Sequence, residues 1–236
     1  DGNAGYCPLF NPNTYNMDEC VGDGDAGLIV PGAFTITGGL GSEVVVPCPG
    51  SSTAPLGITC TMAQWGANID IQVTNNMPSQ SPGYVNVLMD WDQNGMWSVS
   101  SQCPGAIQAP EHVLVNFLVP NGFSGSLSTL APPPFLIGPY AGYVWARITI
   151  SEVPINPPWD GSGSFEDGET EDYLLLITEP EPETYDFGDA PEDALAYPGI
   201  SAYGWFPTCK NVGTAGWIQH SNYGAFFGPN YDLETD

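Results

Sequence analysis

The residues most able to do chemistry form the run Asp90-Trp91-Asp92-Gln93-Asn94-Gly95, which directly follows an apolar stretch. Side-chain oxygens recur at alternate positions, Asp90, Asp92 and Asn94, with Met96 at the next alternate position. This spacing wraps a loop around a hard, oxygen-seeking cation, Ca²⁺ above all, and Gly95 falls where such a loop turns tightly. A helix-flanked calcium loop would carry a Glu where this chain has Ser101, and no helix pattern flanks the run. Another segment must therefore complete a metal shell; otherwise the run is an Asx-rich turn without metal. A second acidic cluster, Glu166, Asp167, Glu169, Glu171 and Asp172, leads into an apolar alternation further on.

Charge narrows the chemistry. The 236 residues hold 27 acidic side chains against two basic ones, Arg147 and Lys210, for a formal net charge of −25. Binding to nucleic acid or to an anionic membrane needs clustered Lys and Arg, so neither is a partner. Grouped carboxylates without basic neighbours must repel, spread into water or share cations. For catalysis the chain offers only His112 and His220, and no nucleophile-elbow or zinc-protease motif. His112 opens a strand pattern and reads as structural, and His220 reads as a hydrogen-bond partner of a carboxylate. No spacing singles out a pair of acids for glycoside hydrolysis. The expectation is a protein that is not an enzyme.

The six cysteines, Cys7, Cys20, Cys48, Cys60, Cys103 and Cys209, contain no CxxC spacing. They read as disulfides, and with them as an extracellular or cell-surface setting. The short loops Cys7–Cys20 and Cys48–Cys60 are the favoured pairs, leaving Cys103–Cys209 as a long staple. Each short loop would contribute about 3 kcal/mol by restricting the unfolded chain. No apolar run is long enough to span a bilayer, and no Asn-x-Ser/Thr sequon occurs. A chain opening on Asp1-Gly2, without initiator Met or signal pattern, is expected to be a processed protein or part of something longer.

The elements that must position these residues are strands. Glycine (29) and proline (24) punctuate the chain, and apolar residues alternate with period two, with no long helical period. Strands are expected at Gly27 to Thr37, Ser42 to Pro47, Asn68 to Thr74, Tyr84 to Asp90, His112 to Val119, Tyr143 to Ile150 and Asp172 to Thr178. Within them Ile69, Ile71 and Val73 share a face, as do Val113, Val115 and Phe117, and Tyr173, Leu175 and Ile177. The fold class is all-β, an antiparallel β-sandwich of Ig-like or jelly-roll-like kind, followed by a loop-rich, aromatic and acidic tail module. Between the two, 179–184 reads EPEPET, an extended acid-proline linker.

Taken together, LMDWDQNG (88–95), VWARITIS (144–151) and GETEDYLLLI (168–177) resemble the GEVED domain of secreted bacterial proteins, over roughly Leu28 to Thr178. The resemblance places Asp90, Asp92 and Asn94 in the family's acidic loop, Arg147 at its basic strand position, and Glu169, Glu171, Asp172 and Tyr173 in its naming motif, with Thr170 in place of Val. It implies that Glu169 or Asp172 closes the metal shell begun at Asp90, and that Arg147 pairs with a leftover carboxylate. The segment from Tyr185 to Glu192 is similar to the D-Y/F-G-D-A-P-D motif that adjoins such domains, and Tyr197-Pro198, His220, Phe227-Gly228 and Asp232 to Asp236 follow in the family's order. Residues 18–28 fit the acidic continuation of that motif, so the end of one copy and the start of the next read as unbroken family sequence.

The organisation implied is an acidic segment 1–27 that completes the tail of a preceding unit, a sandwich 28–178, a linker 179–184 and a tail module 185–236. At the junction Asp186, Asp189, Asp232 and Glu234 would meet Asp23 and Asp25 of the next copy, with Ca²⁺ bridging them. The expected function is a structural building block, a subunit or repeat, of a secreted calcium-stabilised filament or surface array, with itself as partner. The competing expectation is a carbohydrate-binding or adhesive module of a surface protein, using Trp159, Trp205, Trp217 and Tyr223 to stack on a glycan.

Overall fold

Period-two alternation of apolar side chains marks the longer strands among the described residues, and many of the turns between them fall at Gly, Pro and Asx residues. The computed structural model describes residues 27–38, 41–78, 80–97, 100–180, 184–185, 188, 190–197, 199–208, 218–220, 224–229 and 234–235. The chain divides into two compact units, Asp1–Pro180 and Glu181–Asp236. In the first unit the strands are β1 (Leu28–Val30), β2 (Phe34–Thr37), β3 (Val44–Pro47), β4 (Gly57–Ile58), β5 (Met62–Ala63), β6 (Asp70–Thr74) and β7 (Gly83–Met89). They continue with β8 (Ser100–Cys103), β9 (Ile107–Pro110), β10 (His112–Val119), β11 (Ser124–Ser126), β12 (Phe135–Leu136), β13 (Gly142–Ser151) and β14 (Gly168–Thr178).

The principal sheet runs β10-β7-β13-β14-β2-β3, with β4 pairing parallel to β14, and a smaller sheet runs β1-β6-β11. Its spine is the β13–β14 ladder, in unbroken register from Gly142↔Ile177 to Ser151↔Gly168. Val85, Val87 and Met89 of β7, Val144, Ala146 and Ile148 of β13, and Tyr173, Leu175 and Ile177 of β14 form one face. They bury against Ile69, Ile71 and Val73 in and beside β6. Each Val, Leu, Ile or Met among them stabilises the sandwich by about 1.5–3 kcal/mol on leaving water. The fold is the all-β sandwich that the alternation predicts. The Tyr173 hydroxyl accepts the backbone N–H groups of Gly27 (3.0 Å) and Leu28 (3.3 Å), which ties β1 to the β14 side of the sandwich.

Three expectations are corrected. The stretch Gly27 to Thr37 is two strands in two sheets, because Pro31 has no N–H to continue a ladder. In β10 the simple alternation fails: the register with β7 shifts between His112 and Leu114 and again between Leu114 and Phe117. Each bulge turns the following side chains over, so Leu114 and Val119 are buried while Val115 is 46% exposed. The disulfide is Cys60–Cys103, with Cα atoms 5.7 Å apart, which overturns both Cys48–Cys60 and Cys103–Cys209. The β8–β9 hairpin carries Cys103 to the turn after β4, where the Cys60 N–H donates to the Gly138 carbonyl (3.2 Å), so pairing follows the sheet rather than chain proximity. Cys48 is disulfide-bonded too, to a cysteine outside the described residues, which exclude Cys7, Cys20 and Cys209. Such bonding fits an oxidising compartment.

Among the described residues the only helical pieces are two 3-10 turns, Pro104–Ala106 and Leu127–Leu130, and no helix is long and apolar enough to cross a membrane. In the second unit, β15 (Thr184–Tyr185) pairs with β18 (Glu234–Thr235), while β16 (Glu192–Tyr197) and β17 (Ala202–Trp205) form a hairpin. Buried Glu192 receives the Thr208 N–H (3.2 Å), and the Thr208 hydroxyl donates to the Ala190 carbonyl (2.9 Å), closing the hairpin's base.

Candidate metal centre

The acidic loop sits where it does because β7 ends against two neighbours. The Asp90 N–H donates to the Trp145 carbonyl (3.0 Å) and extends the ladder with β13. The Met89 N–H donates to the Glu111 carbonyl (2.9 Å), and Trp91, fully buried, donates its indole N–H to the Pro110 carbonyl (3.0 Å). Gly138 packs directly on Trp91: a Cβ there would lie 2.6 Å from the Trp91 Cβ. These contacts fix Glu111, at the hinge between β9 and β10, beside the start of the loop.

The result is a cluster of Asp90, Asp92 and Glu111, each presenting a carboxylate oxygen within 4.8 Å of the others. Asp90 is 4% exposed and Glu111 2% exposed. An all-oxygen carboxylate set of this kind suits a hard divalent cation. Within the loop the Asp90 carboxylate accepts the N–H groups of Asn94 (3.0 Å) and Gly95 (2.9 Å), one on each oxygen. Asp92 accepts the Asn94 N–H (3.2 Å) and side-chain amide (2.7 Å). The Asn94 oxygen accepts the Met96 N–H (2.7 Å), and Met96 itself is 60% exposed. Gln93 (φ 55°) and Gly95 (φ 81°) take the left-handed turns that close the loop. Burial pushes the Asp90 carboxyl above its ordinary value, against the two backbone N–H groups that favour its charged form, and neighbouring Asp92 adds to the rise. A bound cation would relieve that cost.

The structure brings Asp90 and Asp92 together with Glu111, and not with Glu169 or Asp172. Asp172 is taken by Arg147, whose Nε and Nη2 grip both its oxygens (2.7 and 2.5 Å). The Arg147 Nη1 donates to the Gly161 carbonyl (3.0 Å), and its guanidinium lies 4.4 Å over the Trp97 ring. The leftover carboxylate expected for Arg147 is thus Asp172 itself. Glu169 is exposed and in register with Ile150, and the acidic lead-in is held by Glu152, which accepts the N–H groups of Glu166 (3.0 Å) and Asp167 (3.4 Å). Asp23, Asp25, Asp186, Asp189 and Asp232 lie outside the described residues, and only the backbone of Glu234 is described, opposite Tyr185.

Glu111 is the residue that sequence reasoning missed. Its signal was its place just before the strand that pairs with β7: the register His112↔Leu88 sets residue 111 next to the start of the acidic loop. His112, at the start of β10, is held by its neighbours. Its Nε2 lies 2.9 Å from the Asn86 Oδ1, its ring packs 5.7 Å from Trp159, and burial lowers its pKa, a Leu114 backbone contact opposing in part. Of the proposed stacking aromatics, Trp159 is 8% exposed and packs with Leu88 and Ile155, Trp205 is exposed, and Trp217 and Tyr223 lie outside the described residues.

No curated protein and no solved structure matches the chain. A family model does match, over a narrower span than Leu28 to Thr178: it begins in β7, takes in the acidic loop, Glu111, Arg147 and the β14 motif, and ends within β14. Residues 84–176 match the GEVED domain, and the chain therefore carries a GEVED-type β domain.

Proposed function

We propose that this chain is a structural building block of an extracellular filament or surface array, that it performs no catalysis, and that it is stabilised by Ca²⁺ at Asp90, Asp92 and Glu111. The observation that carries the reading is the carboxylate cluster itself: Asp90, Asp92 and Glu111 each present an oxygen within 4.8 Å of the others, and burial raises the Asp90 carboxyl above its ordinary value. Carboxylates gathered this closely repel one another, and a cation bound among them offsets that repulsion. Ca²⁺ is favoured over softer metals because every donor is oxygen. Assembly with further copies is supported by the β16–β17 hairpin, where Tyr197, Tyr203 and Trp205 are 55–64% exposed. Large aromatic side chains left in water at that density mark an interaction surface.

The test is a thermal melt of the full chain in Ca²⁺ and in chelator, alongside Asp92→Ala and Glu111→Gln. Saturating Ca²⁺ at a hundredfold its Kd stabilises the folded chain by about 2.7 kcal/mol. The expected outcome is a calcium-dependent rise in Tm in the parent that both variants lose. A parent that melts identically with and without the ion removes the metal from this account.

A further inference from the structure

The chain contains two Asn-Gly dipeptides, Asn94-Gly95 and Asn121-Gly122. In such a pair the glycine nitrogen can attack the asparagine side-chain carbonyl carbon, because no β-carbon shields its approach. The rate depends on how the fold holds the nucleophilic nitrogen, the carbonyl carbon, the oxygen that takes up negative charge and the amide nitrogen that leaves. The two sites differ in this respect. Asn94 is exposed, and its Oδ1 accepts the Met96 N–H (2.7 Å), an Asx turn that folds the side chain back over the Gly95 peptide. The same N–H stabilises charge developing on that oxygen. The Gly95 N–H donates to the Asp90 Oδ2 (2.9 Å), and a carboxylate draws on that proton more strongly than a neutral carbonyl does. The side-chain amide that must depart is oriented by the Asp92 Oδ2 (2.7 Å). Nothing lies within 4 Å of where a Gly95 Cβ would stand, so the reacting peptide is open to water on that side.

Asn121 is exposed too, but it is held otherwise. Its side-chain amide donates to the Met77 carbonyl (3.0 Å), and the Gly122 N–H donates to the Asn75 carbonyl (2.7 Å), a neutral acceptor. The N–H two residues on, that of Phe123, is spent on the Pro120 carbonyl (3.1 Å). We propose that Asn94 is a self-modification site, at which the folded loop promotes loss of the side-chain amide. The Gly95 nitrogen bonds to the Asn94 Cγ, the Cγ–Nδ2 bond breaks, and the proton given up by the Gly95 nitrogen leaves with the amide as ammonia. Water then opens the five-membered succinimide, its hydroxyl going to a carbonyl carbon and its proton to the ring nitrogen, which leaves aspartate or isoaspartate at position 94. Either product sets a carboxylate where the amide had donated to Asp92, so that a bond closing the loop becomes a repulsion. The modification therefore loosens the loop that made it.

The test follows both dipeptides in one sample. The full chain is incubated near neutral pH in chelator, which keeps the cation reading out of the result, once folded and once in reducing urea. Peptic peptides are weighed over time for the mass gain of amide to acid, and isoaspartate is counted with an isoaspartyl methyltransferase. In urea the two sites should convert at similar rates. In the folded chain Asn94 should convert about tenfold faster than Asn121 or more, and no slower than it does in urea. Asp90→Asn keeps an oxygen for the Gly95 N–H but no charge, and it should slow Asn94 severalfold while leaving Asn121 unchanged. Should that variant fail to fold, the folded-to-urea ratio of the parent decides alone. An Asn94 that converts more slowly folded than unfolded, or no faster than Asn121, overturns the proposal, since the hydrogen bonds then guard the amide instead of activating it. Conversion indifferent to Asp90→Asn in a folded variant overturns the part given to Asp90.

Discussion

Arg147 shows why one cation in an acidic chain must be an arginine. Its planar fork meets both Asp172 oxygens, a third N–H reaches the Gly161 carbonyl, and the face of the guanidinium covers Trp97. A lysine ammonium offers no such combination of fork and flat face. The same outer face holds His112, kept neutral because burial disfavours its charged form. Its folded pKa lies below the unfolded value, so its contribution to stability is present above about pH 6.5 and is lost as pH falls below that. The remaining carboxylates act in the opposite direction, since protonating them eases repulsion at a net charge of −25. The His112 share is therefore read as a difference between proteins. His112→Gln keeps a donor toward Asn86 and cannot titrate. Between about pH 7.5 and about pH 5.5 its urea midpoint should fall less, or rise more, than that of the parent. Parallel pH profiles for the two proteins would show that burial of His112 costs its charged form nothing.

At the scale of elements, the GETEDY run is a set of separate physical tasks along β14. Gly168 has φ 129°, and a Cβ there would stand 1.9 Å from the Ile150 carbonyl oxygen at the last rung of the β13–β14 ladder. Asp172 holds Arg147, and the Tyr173 hydroxyl holds the entry to β1. Gly168→Ala should thus cost about 2–4 kcal/mol in urea denaturation, while Gly95→Ala, at φ 81° with open space around it, costs about 1 kcal/mol. Equal costs at the two positions would mean that the ladder yields at Gly168 and that close approach there is not what requires glycine. Strands such as β6, β13 and β14 were legible in the sequence because one face of each is buried and period-two alternation records that directly. The bulges of β10 were not, since an extra residue leaves composition unchanged and shows only against the partner strand. The same limit hid Glu111: Asp90 and Asp92 are neighbours in sequence, whereas Glu111 reaches them only through pairing of β10 with β7. Cys60–Cys103 was hidden likewise, because spacing favours short loops while sheet geometry decides which sulfurs meet.

For the whole molecule the governing quantity is charge. Copies carrying −25 each repel at a distance, so association needs short-range attraction and counterions close to the contact. The second unit supplies an apolar surface of that kind: Leu195 and Tyr203 face each other across the β16–β17 hairpin, and Trp205, two residues beyond Tyr203 on the same strand, extends that face. None of these side chains is less than 45% exposed, so replacing them removes little from the unit's own packing. The double variant Tyr203→Ser, Trp205→Ser should therefore melt within a few degrees of the parent, because surface changes of this sort shift stability by roughly 0.5 kcal/mol or less. Assembly would respond differently, since aromatic anchors at the centre of an interface carry most of its energy. Under electron microscopy in Ca²⁺ the parent chain should form filaments or arrays that loosen in chelator, and the double variant should remain dispersed in both. Filaments formed equally well by the variant would place the contact elsewhere on the molecule, and a parent that stays monomeric in saturating Ca²⁺ would leave the hairpin's aromatic face without a second copy to cover it.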